Sequence, residues 1–134
     1  MKTLNEHMIA LGENARIASH SLSVLSNELK NKAILSIANQ ISINKNQILT
    51  ANQKDYVKAE EKGLNKAALD RLLLDEERVQ GIINALESIA ELDDPIGEIL
   101  EEWDRPNGLL IQKVSVPLGV IGIIYESRPN VTAD

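Results

Sequence analysis

Apolar residues in the amino-terminal part of the chain recur every three or four positions, the spacing of one helical face. One such run extends from Leu4 to about Ala18, a second from Leu29 to Ile41, and a third from Ile48 to Ala59. The serine-rich stretch Ser19–Ser23 lies between the first two and offers side chains that cap or interrupt helices. The pattern therefore predicts three amphipathic helices.

A fourth helix is predicted after a stop signal at Lys62-Gly63 and a short mixed patch at residues 65–74. Asp75 is suited to cap its amino terminus, and Asp93-Asp94-Pro95 closes it. The residues predicted to form its inner face are Val79, Ile82, Ile83, Leu86 and Ile89.

Beyond Pro95 the period changes, and residues 98–116 predict a β-hairpin because two short runs flank an Asn-Gly turn signal at Asn107-Gly108. The almost continuous apolar run Gly119–Tyr125 then predicts a strand buried on both faces of a parallel sheet. Pro129–Asp134 is expected to open the crossover helix that a parallel neighbour needs. The chain is thus predicted to be α/β, with a helical block followed by the beginning of a sheet.

Composition narrows the classes of function. The 134 residues are 43% hydrophobic and carry a formal net charge of -6 without a basic stripe, so nucleic acid is an improbable partner. Neither a secretory signal nor an apolar run long enough to span a bilayer is visible, and a cytoplasmic protein without a membrane partner is expected. Cysteine is absent, which excludes disulfides and thiol nucleophiles from these residues.

Other polar groups give weak signals. His7 and His20 lie near polar helix faces without a partner at metal-ligand spacing, so surface histidines are expected and no metal site is predicted. Trp103 is interpreted as a packing residue of the hairpin. The acidic residues beside the hairpin turn are interpreted as a solvated face rather than a cation site; they are Glu98, Glu101, Glu102 and Asp104.

The stretch 116–132, Val-Pro-Leu-Gly-Val-Ile-Gly-Ile-Ile-Tyr-Glu-Ser-Arg-Pro-Asn-Val-Thr, closely resembles the signature of gamma-glutamyl phosphate reductases, within the aldehyde dehydrogenase superfamily. The order of Ala51–Asp55, Leu69–Leu72 and Asp94–Glu98 upstream is also similar. The resemblance implies a truncated aldehyde dehydrogenase-like fold: amino-terminal helices, a hairpin and the first strand of the cofactor-binding domain. Residues 1–134 would form the amino-terminal part of that domain, and the 98–116 hairpin would be of the oligomerisation type.

The resemblance implies reduction of L-glutamyl 5-phosphate to L-glutamate 5-semialdehyde with NADPH, through a cysteine that these residues lack. Asn130 is implied to donate its amide to the oxyanion, although an Asn after Pro at a helix start is also a common cap. Arg128 is the candidate for the substrate's phosphate or carboxylate; the alternative is a surface pair with Glu126. The residues implied to line the NADPH cleft are Tyr125, Glu126, Ser127 and Pro129.

Two hypotheses follow. The chain is a truncated or split reductase, inactive alone, or it is a non-catalytic helical module that associates through its hairpin and apolar strand. NADPH and a small-molecule substrate are expected by resemblance, with a homo-oligomer or a complementing carboxy-terminal chain as partner. Gly119 and Gly122 are not expected to bind a dinucleotide but to allow close packing within the strand. Poor solubility or oligomers are expected because the strand lacks neighbours.

Overall fold

The computed structural model describes residues 3–133, which form two compact units. The first unit contains residues 3–27 and 93–122, and the second contains residues 28–92 and 123–133. No helix among the described residues is long and apolar enough to cross a membrane.

In the first unit, helix α1 spans Leu4–Leu22 and begins with a capping box. Glu6 N–H donates to the Thr3 hydroxyl at 3.2 Å, and Thr3 N–H donates to the Glu6 carboxylate at 2.7 Å. The helix end predicted at Ser19–Ser23 is confirmed at the last residues of that stretch, since α1 ends at Leu22 and Ser23 is its C-cap. Ser19 and Ser23 each donate their hydroxyl to the carbonyl three residues earlier, the first inside the helix and the second at its end.

The same unit contains the predicted hairpin. Strand β1, Ile99–Asp104, pairs antiparallel with β2, Leu110–Val114, and a bulge lies between Ile99 and Glu101. Gly108 N–H donates to the Arg105 carbonyl at 2.9 Å, and Gly108 has a φ of +82°, a conformation that favours glycine. Trp103 lies opposite Ile111 and is 41% exposed. The hairpin prediction is therefore confirmed. Neither strand has a fully buried face.

The second unit is helical. Its helices are α2 (Asn27–Ile43, which begins at the boundary), α3 (Lys45–Glu61), α4 (Lys66–Leu72) and α5 (Glu76–Ala90). The core is formed by Ala38 of α2 with Val79, Ile83 and Leu86 of α5. Helix α5 confirms most of its predicted inner face, but Ile89 is 45% exposed and lies in the last turn, after Leu86, the last buried residue of the helix.

Helix ends in this unit follow local chemistry. At the end of α3, Gly63 has a φ of +77°, Gly63 N–H donates to Glu60, and Leu64 N–H donates to Ala59. These two bonds form a Schellman motif and confirm the predicted stop. Asp75 accepts from Arg78 N–H at 2.7 Å, which confirms the predicted cap of α5. Helix α4 was not predicted, and Asn65 caps it by accepting from Ala68 N–H.

The predicted strand Gly119–Tyr125 is not formed among the described residues. Its side chains are exposed, to 65% at Ile121 and fully at Ile124, because no other described strand lies beside it to pair its backbone. Among residues 3–133, no atom lies within 4 Å of the position that a Cβ would take at Gly119 or Gly122, so close packing does not explain these glycines. Gly119 instead has a φ of +89°, which a side chain would disfavour.

The predicted crossover helix is a single 3-10 turn, Pro129–Thr132, with Arg128 at its N-cap. Proline at the first position fixes a suitable φ and needs no hydrogen-bond acceptor. Asp134, the last residue of that prediction, lies outside the described residues. Ala133 packs against the core of the second unit, so this turn is held against the helices.

Candidate functional site

The loop at residues 125–132 folds back on itself in the second unit. The hydroxyls of Tyr125 and Thr132 share a hydrogen bond of 2.6 Å. Between them, Ser127 has a φ of +57°, a left-handed conformation that is uncommon for a residue with a side chain. Val131 N–H donates to the Arg128 carbonyl at 3.2 Å. Local strain therefore lies at the residue immediately before Arg128, and such strain is concentrated at functional sites.

A cleft with a volume of about 420 Å³ lies between this loop and helices α4 and α5. Its size is within the range of small-molecule sites. Three of the residues predicted to be functional line it, together with eight from the helices and their connection. The lining residues are Asp70, Arg71, Leu73, Leu74, Arg78, Gly81, Ile82, Ala85, Arg128, Pro129 and Asn130.

One wall of the cleft is fixed by Arg78. Its guanidinium donates to the Asp70 carboxylate at 2.7 Å, to the Leu73 carbonyl at 2.9 Å and to the Asp70 carbonyl. The hydrogen bond to Asp70 raises the pKa of Arg78 above its ordinary value and outweighs the opposing effect of desolvation. Arg78 of α5 is thus tied to the carboxyl end of α4 and its connection.

Asn52 of α3 holds the same connection from the other side. This buried side chain is 7% exposed; its amide donates to the Leu72 carbonyl at 2.8 Å, and its oxygen accepts from Leu74 N–H at 2.7 Å. Leu72 is the last residue of α4, and Leu74 lies in the connection to α5. Because a buried amide with both of its polar ends satisfied resists displacement, the end of α4 that carries Arg71 is held in place.

The structure brings Arg128, Pro129 and Asn130 together in the cleft, whereas Tyr125, Glu126 and Ser127 do not line it. The alternative pair of Arg128 with Glu126 is not formed among residues 3–133. The N-cap of the 3-10 turn is Arg128 rather than Asn130, so the capping alternative for Asn130 is not realised at that position.

Sequence reasoning missed the helical side of the cleft. Asp70 and Arg71 were noted only as part of a similar stretch, and Arg78 was not singled out. The spacing between Asp70 and Arg78 crosses a helix end, so no single helical face connects them. The available signal was the density of charged residues at 70–78 beside a capping aspartate.

A second cavity, of about 410 Å³, shares Leu74, Ile82 and Pro129 with the first. Its lining is almost entirely apolar and includes Val79 and Ala133. The 3-10 turn therefore contributes to two cavities, and only the first carries charged groups.

Within residues 3–133, no group of three or more histidine and carboxylate side chains is placed to hold a metal ion. His7 and His20 are both exposed. Of the acidic residues at the hairpin, Glu101 pairs with Lys113 at 2.9 Å, and Glu102 accepts a hydrogen bond from Gln112 across the strands. These contacts fit an ordinary cross-strand face.

In sequence, the chain is similar to proteins named gamma-glutamyl phosphate reductase. It is 52% identical over 134 residues to the gamma-glutamyl phosphate reductase of Clostridium tetani, and 52% identical over 131 residues to that of Paramagnetospirillum magneticum. It covers 31% of the length of each, so it spans about a third of these relatives. No protein-family model matches the chain.

Solved structures agree. The gamma-glutamyl phosphate reductase of Thermotoga maritima matches 90% of the chain with a TM-score of 0.87 and 44% identity, and the chain covers 29% of it. The enzyme of that name from Saccharomyces cerevisiae matches 99% of the chain with a TM-score of 0.88 and 30% identity, with 33% of it covered. Sequence similarity and structural similarity thus identify proteins of the same name, the gamma-glutamyl phosphate reductases.

Proposed function

Since these 134 residues are homologous to the amino-terminal portion of gamma-glutamyl phosphate reductases, we propose that they form part of an oxidoreductase of proline biosynthesis. The proposed reaction is the reduction of L-glutamyl 5-phosphate to L-glutamate 5-semialdehyde with NADPH, with release of phosphate. The observation that carries the proposal is the cleft in which Arg128 and Asn130, from the signature stretch, lie with Arg71 and Arg78.

In this proposal, Asn130 donates its side-chain amide to the oxygen that becomes negatively charged when the acyl group is attacked. A fixed donor helps most when it is aimed at charge that develops in the transition state. Asn130 is half-buried on the cleft, and Ala133 N–H donates to its carbonyl at 2.8 Å, which fixes the backbone of the turn. Arg128 is exposed on the same cleft and is proposed to bind the substrate's phosphate or carboxylate.

NADPH supplies a hydride when it is bound. The guanidinium groups on the cleft suit the phosphates of such a cofactor, so the donor chemistry of the described residues fits it. Tyr125, Glu126, Ser127 and Pro129 are proposed to contact the cofactor through their backbone. Their loop is closed by the bond between Tyr125 and Thr132, which supports a defined backbone shape.

The nucleophile of the proposed reaction is a cysteine, and the 134 residues contain none. The thiol must therefore come from residues other than these. We propose that Gly119–Tyr125 becomes the first strand of an aldehyde dehydrogenase-like cofactor domain when neighbouring strands are present. The 98–116 hairpin is proposed to join subunits, which its exposed strands would allow.

A chimera tests the proposal. In it, residues 1–134 replace the equivalent third of the Clostridium tetani enzyme, and NADPH oxidation on L-glutamyl 5-phosphate is measured. The chimera is expected to turn over, and Asn130→Ala is expected to lower kcat by about 100–1000-fold, the usual cost of an oxyanion donor. Asn14→Ala, an exposed position on α1, is the matched control and should leave kcat unchanged.

A well-folded chimera without activity would contradict the proposed reaction. An active chimera in which Asn130→Ala behaves like Asn14→Ala would instead remove the assigned role of Asn130. Circular dichroism of each variant separates loss of fold from loss of chemistry.

A second candidate, a non-catalytic interaction module, is favoured by the exposed apolar side chains at residues 118–124. In that function the segment would pair with a strand of another protein and needs no cleft residue. An active chimera that depends on Asn130 counts against it.

A further inference from the structure

We propose that Arg71 and Arg128 together bind a phosphoryl group in the 420 Å³ cleft. This inference deepens the proposed function by adding Arg71, on helix α4, to the site. Arg71 lies outside the signature stretch and is brought to the cleft only by the fold.

The first support is the balance of charge. Three guanidinium groups line the cleft, from Arg71, Arg78 and Arg128, and one carboxylate does, from Asp70. Asp70 is paired with Arg78 at 2.7 Å, and Asp75 and Glu77 also act electrostatically on Arg78. Among the described residues, Arg71 and Arg128 have neither an ion-pair nor a hydrogen-bond partner for their side chains.

This local excess of positive charge contrasts with the formal net charge of -6 for the whole chain. Two unpaired guanidinium groups on one concave surface repel each other and attract anions, because a cleft concentrates the field of the charges that line it. An anion that contacts both groups would remove that repulsion.

The second support is the rigidity of the frame that carries Arg71. Arg78 binds the carbonyls of Asp70 and Leu73, the residues just before and two after Arg71, and Asn52 binds the Leu72 carbonyl. The backbone on both sides of Arg71 is therefore fixed, while its side chain stays exposed and able to bind. Arg128 immediately precedes the 3-10 turn Pro129–Thr132, and its carbonyl accepts from Val131 N–H at 3.2 Å.

The geometry of the groups favours a phosphoryl group over a carboxylate. One guanidinium fork matches both oxygens of a carboxylate, whereas a phosphoryl group has three terminal oxygens and can accept from two guanidinium groups at once. The small-molecule sources of such a group are an acyl phosphate, with the inorganic phosphate it releases, and the phosphates of a dinucleotide cofactor.

Nuclear magnetic resonance of the arginine Nε–H groups in the 134-residue chain tests the site, with inorganic phosphate and acetyl phosphate as probes. Both probes are expected to shift the Arg71 and Arg128 signals. Arg71→Gln and Arg128→Gln should each weaken binding about tenfold, and Arg71→Lys, which keeps the charge but loses the fork, should fall between.

Arg16→Gln on α1 is the control, since it removes the same charge at an exposed position that does not line the cleft. Competition then identifies the source. Displacement of phosphate by acetyl phosphate but not by NADPH assigns the site to the substrate, and displacement by NADPH but not by NADH assigns it to the cofactor's additional phosphate.

Absence of phosphate-dependent shifts at both arginines, or an equal loss of binding in Arg16→Gln, would overturn the inference. Should a variant unfold, the chimera gives a second measurement. There, Arg71→Gln should raise the KM for L-glutamyl 5-phosphate or for NADPH at least tenfold, and unchanged values of both would also overturn it. If the chain binds phosphate but the chimera is inactive, the proposed reaction is contradicted and the phosphoryl site is not.

Discussion

Asn52 is the residue whose role was least visible in the sequence. Its side chain is satisfied by the Leu72 carbonyl and Leu74 N–H, which lie in another part of the chain. Helical periodicity places a residue on a face but does not say which backbone groups pass that face. For the same reason Arg128 and Asn130, carried by one contiguous motif, were predicted, while Arg71 and Arg78 were not.

Replacement of Asn52 tests the rigidity of this segment. Asn52→Ala should lower the free energy of unfolding by about 2–3 kcal/mol, because it removes two partly buried hydrogen bonds to the backbone at Leu72 and Leu74. Urea denaturation followed by ellipticity at 222 nm, a wavelength that reports helices, measures the loss. Asn46→Ala, at an exposed position on the same helix, should change stability by less than about 0.5 kcal/mol, and equal effects of the two would contradict the role of Asn52.

At the scale of helices and strands, signals that act within a few residues were interpreted well. The stop at Gly63, the cap at Asp75 and the turn at Gly108 each depend on neighbouring backbone groups, and each was confirmed. The helix end predicted at Ser19–Ser23 falls only at Ser23, because serine hydroxyls bind backbone carbonyls inside a helix, as at Ser19, as well as at its end. Composition alone does not distinguish those two uses.

Two glycines in the second unit should respond in opposite directions to alanine. Gly63→Ala should lower the free energy of unfolding by about 1–2 kcal/mol, because a Cβ disfavours its φ of +77°. Gly81→Ala, inside helix α5 with open space around its added Cβ, should raise it by about 0.5–1 kcal/mol. Thermal unfolding of both variants measures the pair. A Gly63→Ala variant as stable as the parent would contradict the role of its positive φ, and a less stable Gly81→Ala variant would contradict the gain expected inside α5.

At the scale of the whole chain, the strand prediction failed for a reason that lies outside its own residues. Gly119–Tyr125 has the composition of a buried strand, yet a strand exists only when another strand accepts and donates its backbone hydrogen bonds. Within residues 3–133 the paired strands are β1 and β2. The apolar pattern thus indicates which side chains the segment can bury. Whether the segment forms a strand depends on the presence of neighbouring strands.

Self-association should follow from this exposure. Burial of one Ile side chain is worth about 1.5–3 kcal/mol, and Ile124 is fully exposed. Sedimentation velocity of the 134-residue chain should show oligomers that Ile121→Lys with Ile124→Lys shifts toward monomer. Val57→Lys, a 41% exposed position on α3, should not do so, and a monomeric parent chain would rule out the association.

Trp103, the single tryptophan of the chain, has a practical consequence for anyone who studies its unfolding. It lies in the hairpin of the first unit, whereas the core of four buried residues around Val79 belongs to the second. Tryptophan emission therefore reports on the surroundings of Trp103 in the hairpin, whereas the helices that carry the cleft contain no tryptophan. A melting curve recorded by tryptophan emission alone would therefore follow the hairpin around Trp103 rather than the cleft.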